Sequence, residues 1–369
     1  MSRFIIKLSE PGDGSELLML LRGISMDGAV RLVHLRDPDF FRSIEVEGEN
    51  VQVVLGRDLK EEKIIGFGIR AVRRLFVNGA ETPVGYLSNL RLLPEYRNRT
   101  MLARGFKFFR DLHNDGRVSI YLTSIVEDNL TALETLTSGK AGLPKYNDFG
   151  RFNTKMIGLR KKKPCKITGI DVRRGEKKSL EKICNFLYNT GRAKQFFPVY
   201  CPEDFLNDFG LLRGLSETDL FFAEKKGELL GVAAFWDQTL FKQTQVSGYS
   251  NMMKIFRVPW NVLSFICDRP PLPRPGNPLH YFYAGLIAVK DNNEEIFSVL
   301  LERLREEGRA RGFHFMTCGL HEKDSLNSVL DKYSGFKLCT RIFIVHFDDG
   351  AGVFNQIDDR VPYLEVGTL

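Results

Sequence analysis

Residues Leu90–Leu102 read LRLLPEYRNRTML, and this stretch decides the fold that the sequence predicts. It begins as an apolar strand, turns at Pro-Glu-Tyr-Arg and continues into FKFFRDLH, whose apolar spacing is helical. A helix that starts directly after a turn presents backbone N–H groups without partners, and its dipole adds partial positive charge there. The sequence therefore predicts a phosphate-binding site where this helix begins.

A similar order of strands and helices occurs in each half of the chain. The first half predicts strand Pro83–Leu93, a helix to His113, strand Val118–Ser124 and a helix from about Asn129. The second half predicts strand Tyr281–Val289, helix Glu294–Arg311, strand Phe313–Gly319 and a short helix through Tyr333. The repeated order predicts an α/β (α+β) fold with mixed sheets.

A basic run, Arg160–Lys163, is followed by Pro164 and is interpreted as a linker. It lies between a predicted closing strand, Phe152–Leu159, and a predicted opening strand, Lys166–Val172. The sequence thus predicts two domains, residues 1–160 and residues 161–369.

The opening stretch resembles the cofactor segment of the GCN5-related N-acetyltransferase superfamily, whose usual form is V-x-P-x-Y-R-G-x-G-x-G/A. Pro94, Tyr96 and Arg97 match that pattern. The positions where the superfamily prefers small residues, mostly glycine, hold Asn98, Thr100 and Leu102. The resemblance implies a sheet that splays open between its fourth and fifth strands.

A second signature of that superfamily, N-x-x-A-x-x-x-Y-x-x-x-G-F, is also partly present. Asn129 and Ala132 keep its start in the first half, and Asp324, Leu330, Gly335 and Phe336 keep four of its spacings in the second. Arg97 precedes Asn129 by 32 positions, and the aligned Asn293 precedes Asp324 by 31. The chain therefore resembles two tandem, degenerate copies of an acyl-CoA N-acyltransferase domain.

The resemblance implies that the N-terminal domain holds acetyl-CoA or a longer acyl-CoA as a substrate. Pantetheine is expected along the fourth strand and the pyrophosphate on the backbone of Asn98–Leu102. The cofactor-binding positions implied are Leu92, Leu93, Arg97, Asn98, Arg99, Thr100, Met101, Leu102 and Asn129. In the second half the aligned turn, KDNNEE (Lys290–Glu295), carries three acids and favours a self-capped structural helix.

The catalytic groups are less well represented. The resemblance implies that the tyrosine of the second signature protonates the thiolate, but its position holds Leu136 in the first half and Asp331 in the second. It also implies an acidic residue on the fourth strand as the base, but Gly85–Asn89 contains no acidic residue. Tyr146 is a candidate substitute for the tyrosine, with a packed or surface role as its alternative. Ser88, together with Asn89, is a candidate for orienting a water, with a hydrogen bond to the backbone at a bulge as its alternative. The six histidines show no HxH or HExxH spacing, so no metal site is expected.

Composition limits the partners. The net charge of +7 is spread over both halves, which suits a CoA phosphate or an acidic acyl carrier protein better than a nucleic acid. A nucleic-acid surface would have to join Arg70, Arg73 and Arg74 to the 160–163 run. The scattered cysteines, and the lack of a signal-peptide pattern or a long apolar run, predict a cytoplasmic protein without a membrane partner.

The sequence thus predicts a transferase that moves an acyl group from acyl-CoA to an amine, either a small molecule or a protein. The alternative is a non-catalytic ligand-binding or regulatory protein on a degenerate acyltransferase fold, because the glycines, the tyrosine and the acid are missing together.

Overall fold

The computed structural model describes residues 3–25, 28–97, 100–140, 142–159, 169–266 and 270–369. In these residues, one mixed sheet of twelve strands dominates the fold and a two-stranded ribbon lies beside it. The strands are β1 Phe4–Leu8, β2 Val30–Leu35, β3 Asn50–Asp58, β4 Lys63–Val77, β5 Ala80–Leu92, β6 Tyr121–Val126, β7 Lys145–Gly158, β8 Asp171–Arg174, β9 Leu220–Lys225, β10 Glu228–Trp236, β11 Gln243–Tyr249, β12 Tyr281–Val289, β13 Phe315–His321 and β14 Gly335–His346. The predicted mixed α/β class is confirmed.

The helices of the described residues are α1 Gly14–Arg22, α2 Phe40–Ile44, α3 Met101–His113, α4 Leu130–Leu136, α5 Leu180–Gly191, α6 Asn251–Ile266, α7 Glu294–Ala310, α8 Asn327–Asp331 and α9 Ala351–Asn355. None of these helices is both long enough and apolar enough to cross a membrane.

The order of strands is symmetric about the centre of the sheet. It runs β1-β3-β4-β5-β6-β14 and then β7-β13-β12-β10-β9-β8. The last strand of the first half, β7, pairs with β13 of the second half, and β14 of the second half pairs with β6 of the first. Because β7 and β14 also pair with each other, each half completes its sheet with a strand from the other.

The two faces of the first half are covered by different helices. Successive strand residues point to opposite faces, and β3 shows it: Val53 packs in a core with α1 and α2, whereas Val54 packs with Phe106 and Phe109 of α3. The α1–α2 face and the α3 face of this half are therefore distinct environments. The ribbon joins the halves as well, because β2 pairs with β11.

The same irregularity occurs in β5 and in β12. In β5 the pairing to β4 shifts between Arg91 and Ser88, and Asn89 adopts a φ of 52°. In β12 the pairing to β10 shifts between Ala288 and Gly285, and Leu286 adopts a φ of 50°. An extra residue of this kind bends the strand and increases its twist. Both strands therefore turn away from their parallel neighbours.

Candidate acyl-CoA site

The first gap in the sheet lies between β5 and β6. These parallel strands pair only at Gly85–Tyr121 and Tyr86–Leu122. Gly85 is required there, because a side chain at this position would enter the ring of the buried Tyr121. Beyond Tyr86 the two backbones no longer pair, although Thr123 Oγ1 of β6 still donates to the Leu87 carbonyl at 2.7 Å. We call the space between 87–92 of β5 and 123–126 of β6 the N-terminal slot.

The turn that follows β5 leads directly into α3, as the sequence predicts. A short 3-10 turn, Pro94–Tyr96, buries Tyr96, whose hydroxyl donates to Asp58 Oδ2 at 3.0 Å. Arg97 is exposed and donates from Nε to the Leu92 carbonyl at 3.1 Å. The turn is thus anchored through Tyr96, while the guanidinium of Arg97 remains accessible at the end of the strand.

The start of α3 suits an anion. Thr100 is the N-cap residue, but its side chain makes no capping hydrogen bond, and the first turn contains no acid. Thr100 thus leaves the first backbone N–H groups of the helix without a bond from its own side chain, and the helix dipole favours negative charge. Asn98 and Arg99, two of the predicted cofactor residues, lie outside the described residues.

The apolar residues of the predicted segment fill the core. Met101 is buried and clusters with Ile65 and Tyr96, and Leu92 and Leu93 pack against the same cluster. Leu102 is half-buried against the core under α3. The side chains of these residues are therefore taken up by packing, and only their backbone groups would be left to contact a ligand.

A second gap, between β12 and β13, is closed. These strands pair only from Tyr281 to Tyr283. Beyond the bulge, the Leu286 N–H donates to Glu365 Oε2 at 2.8 Å, and the Ile287 N–H donates to the Tyr363 hydroxyl at 3.0 Å. The backbone donors of this C-terminal slot are thus bonded by the segment Tyr363–Thr368, which packs against both strands.

The helix after the second gap is also closed to anions. Asn293 caps α7, its Oδ1 accepting from the N–H groups of Glu295 at 2.9 Å and Ile296 at 3.1 Å. Glu294 and Glu295 place acids in the first turn. Lys290, in the preceding turn, is paired with Glu228. An approaching phosphate would meet filled donors and negative charge.

A polar cluster lies on the face of β5 opposite α3. Leu87 packs on the α3 side, and the next residue, Ser88, donates its hydroxyl to Glu47 on the other side. Asn89 Nδ2 donates to Glu47 Oε1 at 3.1 Å, and Arg36 Nη2 donates to the same oxygen at 2.5 Å. The buried Glu47 follows α2 in a 3-10 turn, Glu45–Glu47. A carboxylate from outside β5 therefore lies against Ser88 and Asn89 of that strand.

Arg73 joins this cluster to the end of the described chain. Its guanidinium donates to the carbonyls of Val46 and Glu47 and, from Nη1, to Thr368 Oγ1 at 2.7 Å. Where β5 and β6 part, a cavity of about 20 Å³ is lined by Arg73, Tyr86 and Glu365, among others. That volume accommodates a single water.

Lys242 adds a titratable amine to this region. Its ammonium donates to the carbonyls of Gly367 at 3.1 Å and Leu369 at 3.2 Å. The pKa of Lys242 is lowered to about 7, mainly by burial and then by the charges of Arg36 and Arg73, while the charge of Glu47 partly offsets the change. An amine with this pKa is largely deprotonated slightly above neutral pH and can accept a proton. We call Arg36, Glu47, Arg73, Ser88, Asn89 and Lys242 the central polar cluster.

The structure separates the two predicted catalytic residues. Tyr146 lies on β7, packs on the α3 side near Phe343 and has its pKa raised by burial. Ser88 faces the opposite side of the sheet, toward Glu47. Leu136, at the superfamily's tyrosine position, is buried in the same core as Tyr146. Asn129 caps α4, its Oδ1 accepting from the Ala132 N–H at 3.2 Å.

The basic residues considered for nucleic acid are already engaged. Arg70 is fully buried and pairs with Asp115, with Nη1 and Oδ2 2.8 Å apart. Arg74 pairs with Glu49 at 2.9 Å, and Arg73 belongs to the central polar cluster. The 160–163 run lies outside the described residues. Within the described part of the chain, no group of three or more His, Cys, Asp or Glu side chains comes together as a metal site.

Sequence reasoning missed Glu47 and Lys242. Glu47 lies 41 positions before Ser88 in the chain, and Lys242 lies in the other half. Neither stands in a recognisable motif. The turn Glu45–Glu47 packs against β3 and β4, and Lys242 is held by the carbonyls of Gly367 and Leu369. No local signal in the sequence identifies either residue.

No protein-family model matches this sequence, and no curated protein matches it significantly. Solved structures do share its fold. N-myristoyltransferase from Saccharomyces cerevisiae, solved with bound myristoyl-CoA, is 10% identical with a TM-score of 0.63, covering 94% of this chain and 83% of that one. A GCN5-related N-acetyltransferase from Sphaerobacter thermophilus is 10% identical with a TM-score of 0.56, covering 100% and 99%.

A glucosamine N-acetyltransferase region of a fungal multi-domain β-N-acetylglucosaminidase is 11% identical with a TM-score of 0.61, covering 93% of this chain and 38% of that one. Sequence identities this low show a shared fold and nothing about function. The chain therefore has the fold of the GCN5-related N-acetyltransferases and of N-myristoyltransferase, which confirms the fold predicted from Leu90–Leu102.

Proposed function

We propose that this protein is an N-acyltransferase that moves an acyl group from acyl-CoA to an amine, with the cofactor held in the N-terminal slot. The contrast between the two slots carries this proposal. The second slot is filled by Tyr363 and Glu365, and its helix is capped by Asn293. The first slot leads to α3, whose N-cap residue Thr100 makes no side-chain capping bond and whose first turn holds no acid.

The cofactor is placed by backbone chemistry. Pantetheine adds to the edge of β5 beyond Leu87 as an extended peptide would, through main-chain hydrogen bonds. The pyrophosphate lies on the first N–H groups of α3, with Arg97 beside it. The yeast enzyme of the same fold was solved with myristoyl-CoA, which supports an acyl-CoA here. Acetyl-CoA and longer acyl-CoAs are the candidates; an acidic carrier-protein thioester presents the same pantetheine.

The acceptor amine enters from the α1–α2 face, where the central polar cluster lies. Its nitrogen attacks the thioester carbonyl carbon, the C–S bond breaks as the amide forms, and CoA leaves as a thiolate, which takes a proton from solvent while Lys242 later returns its own proton to solvent. Lys242, in its neutral form, accepts the proton that the amine loses. Ser88 and Asn89, held by Glu47, position the amine and the carbonyl for attack, and proximity supplies much of the rate.

A non-catalytic ligand-binding or regulatory protein is the second candidate. The observation that favours it is Leu136, which fills the superfamily's tyrosine position with a buried apolar side chain. Tyr146 does not replace it, because it is packed into the α3-side core. Such a protein would bind acyl-CoA in the N-terminal slot without consuming it.

Two measurements on the full chain separate these candidates. Titration calorimetry with CoA, acetyl-CoA and longer acyl-CoAs measures binding, and release of free thiol in the presence of an amine panel measures transfer. We expect saturable binding and amine-dependent thiol release. Binding without thiol release for any amine favours the regulatory protein, and the absence of binding to every thioester contradicts both candidates.

A further inference from the structure

Helix α6 turns an apolar face to solvent. Six of its side chains are 48% to 78% exposed: Met252, Ile255, Phe256, Val258, Val262 and Leu263. At 3.6 residues per turn they fall within an arc of about 160° that also includes Pro259. A surface helix normally directs such a stripe inward, so this helix is inverted.

Polar bonds on the inner face hold the helix in this orientation. Asn261 exchanges two hydrogen bonds with Leu272 of the following loop, Nδ2 to O at 3.1 Å and N to Oδ1 at 2.8 Å. Arg257 Nη1 donates to the Pro273 carbonyl at 3.1 Å, and Trp260 Nε1 donates to the Pro270 carbonyl at 3.3 Å. Rotating the apolar stripe inward would break these bonds. The exposed face is therefore built into the fold.

The charge of α6 and of the loop after it is mainly positive. The helix contains Lys254 and Arg257 and no acid. Lys254 is exposed and lies beside the apolar arc. From Asn251 to Leu279 the sequence holds four lysines and arginines against one aspartate. An apolar helical face with a basic border suits the interface of an anionic membrane.

We propose that α6 is a docking surface for a lipid bilayer that contains anionic lipids. The apolar face enters the boundary between headgroups and acyl chains, and Lys254 contacts lipid phosphate. A second copy of the chain is a poorer occupant, because two such helices would bring lysines and arginines together without acids to offset them. The sequence predicts no membrane partner because that prediction considers only apolar runs long enough to cross a bilayer. A helix that lies in the membrane interface does not have to cross the bilayer, and α6 is about 24 Å long.

The test is flotation of the purified full chain with vesicles, one set of phosphatidylcholine alone and one of phosphatidylcholine and phosphatidylserine in equal parts. We expect binding that is stronger on the phosphatidylserine vesicles. The double variant Ile255→Ser/Val262→Ser removes only exposed side chains and is expected to weaken binding by about tenfold or more. Lys254→Glu is expected to weaken binding to the phosphatidylserine vesicles by roughly tenfold.

Met19→Ser is the matched control, since it removes a side chain of similar exposure, 60%, from helix α1. It is expected to leave flotation unchanged. Failure of the unmodified chain to float with either vesicle overturns the proposal. So does a chain whose self-association in sedimentation velocity, and not its flotation, is lost in the double variant, because the occupant is then a second copy.

Discussion

Asn89 and Leu286 share a left-handed backbone conformation, with φ of 52° and 50°, at equivalent bulges of β5 and β12. Each bulge turns its strand away from a parallel neighbour and opens a slot in the sheet. The two side chains then do different things. Asn89 reaches Glu47 in the central polar cluster, whereas Leu286 is fully buried and its amide is bonded to Glu365. One geometry therefore serves an open slot in one half and a filled slot in the other.

The backbone at Asn89 can be separated from its side chain by two substitutions. Asn89→Gly and Asn89→Ala both remove the hydrogen bond to Glu47, but only alanine places a Cβ in the left-handed region. We expect the alanine variant to be less stable than the glycine variant by about 1 kcal/mol. Urea unfolding followed by circular dichroism measures the difference. Equal stabilities would mean that the bulge relaxes when its asparagine is replaced.

Charge reversal at Arg97 tests the phosphate end of the slot. Arg97→Glu places a carboxylate beside the uncapped start of α3, and we expect acyl-CoA to bind about tenfold more weakly, less so in high salt. Lys290→Glu makes the same change of charge at the corresponding turn of the second half and serves as the control. Calorimetry measures both. Equal weakening by the two variants would place the cofactor elsewhere.

Ser88 tests the acceptor side of the same strand. Ser88→Ala removes the hydroxyl bonded to Glu47 and leaves the backbone of the slot intact. We expect kcat to fall by roughly 10- to 100-fold, while the KM for acyl-CoA is unchanged. Ser328→Ala is the control, because it removes a hydroxyl on α8 that donates to the backbone carbonyl of Ser325, just before that helix. A rise in KM at constant kcat would contradict the role given to Ser88.

The fold could be predicted because its main signals are local. The run from strand to turn to helix at Leu90–Leu102 and its weaker counterpart before α7 both form as expected. The exchange of β7 and β14 could not be predicted, because the sequence of a strand does not say which of two similar sheet edges it joins. Tertiary packing makes that choice. The ribbon of β2 and β11 escapes sequence reasoning for the same reason, because its strands come from different halves.

The site divides along the same line. The backbone features, a turn at Pro94 and a helix start at Thr100, follow from local sequence. Glu47 and Lys242 reach the site through contacts between distant segments, and no sequence motif identifies them. Tyr146 illustrates the opposite case: its residue type suggested chemistry, but the alternation of side chains along the sheet places it on the α3 side, away from Ser88.

Glu365 gives the filled slot a measurable pH dependence. Burial raises the pKa of this carboxyl above its ordinary 4.5, so its contribution to stability is present at low pH and is lost as pH rises through the folded-state pKa. We therefore expect Glu365→Gln to gain stability relative to the unmodified protein as pH rises. Glu228→Gln is the control with opposite sign, because the Lys290 hydrogen bond lowers the pKa of Glu228. Urea unfolding at several pH values measures the free energy of unfolding of all three proteins. Parallel curves of that free energy against pH would contradict the raised pKa of Glu365.

Lys242 links stability and activity through a single pKa. Its amine binds fewer protons in the folded chain than in the unfolded one between pH about 7 and about 10.5, so its contribution makes folding more favourable as pH rises through that window. We expect Lys242→Met to remove that slope, which urea unfolding at several pH values measures. Compared with the unmodified protein, the variant is expected to gain the most stability at neutral pH and below, where the buried lysine would have to be charged.

The same residue should set the pH profile of acyl transfer. If neutral Lys242 accepts the proton of the amine, kcat rises through pH about 7 in the unmodified protein. Lys242→Met should lower kcat by about 100-fold and flatten that rise. Lys242→Arg keeps a permanent charge that cannot accept a proton, so it should lose activity equally while restoring the charge. An arginine variant that retains both activity and the pH-dependent rise would show that the lysine only balances Glu47, because charge alone would then suffice.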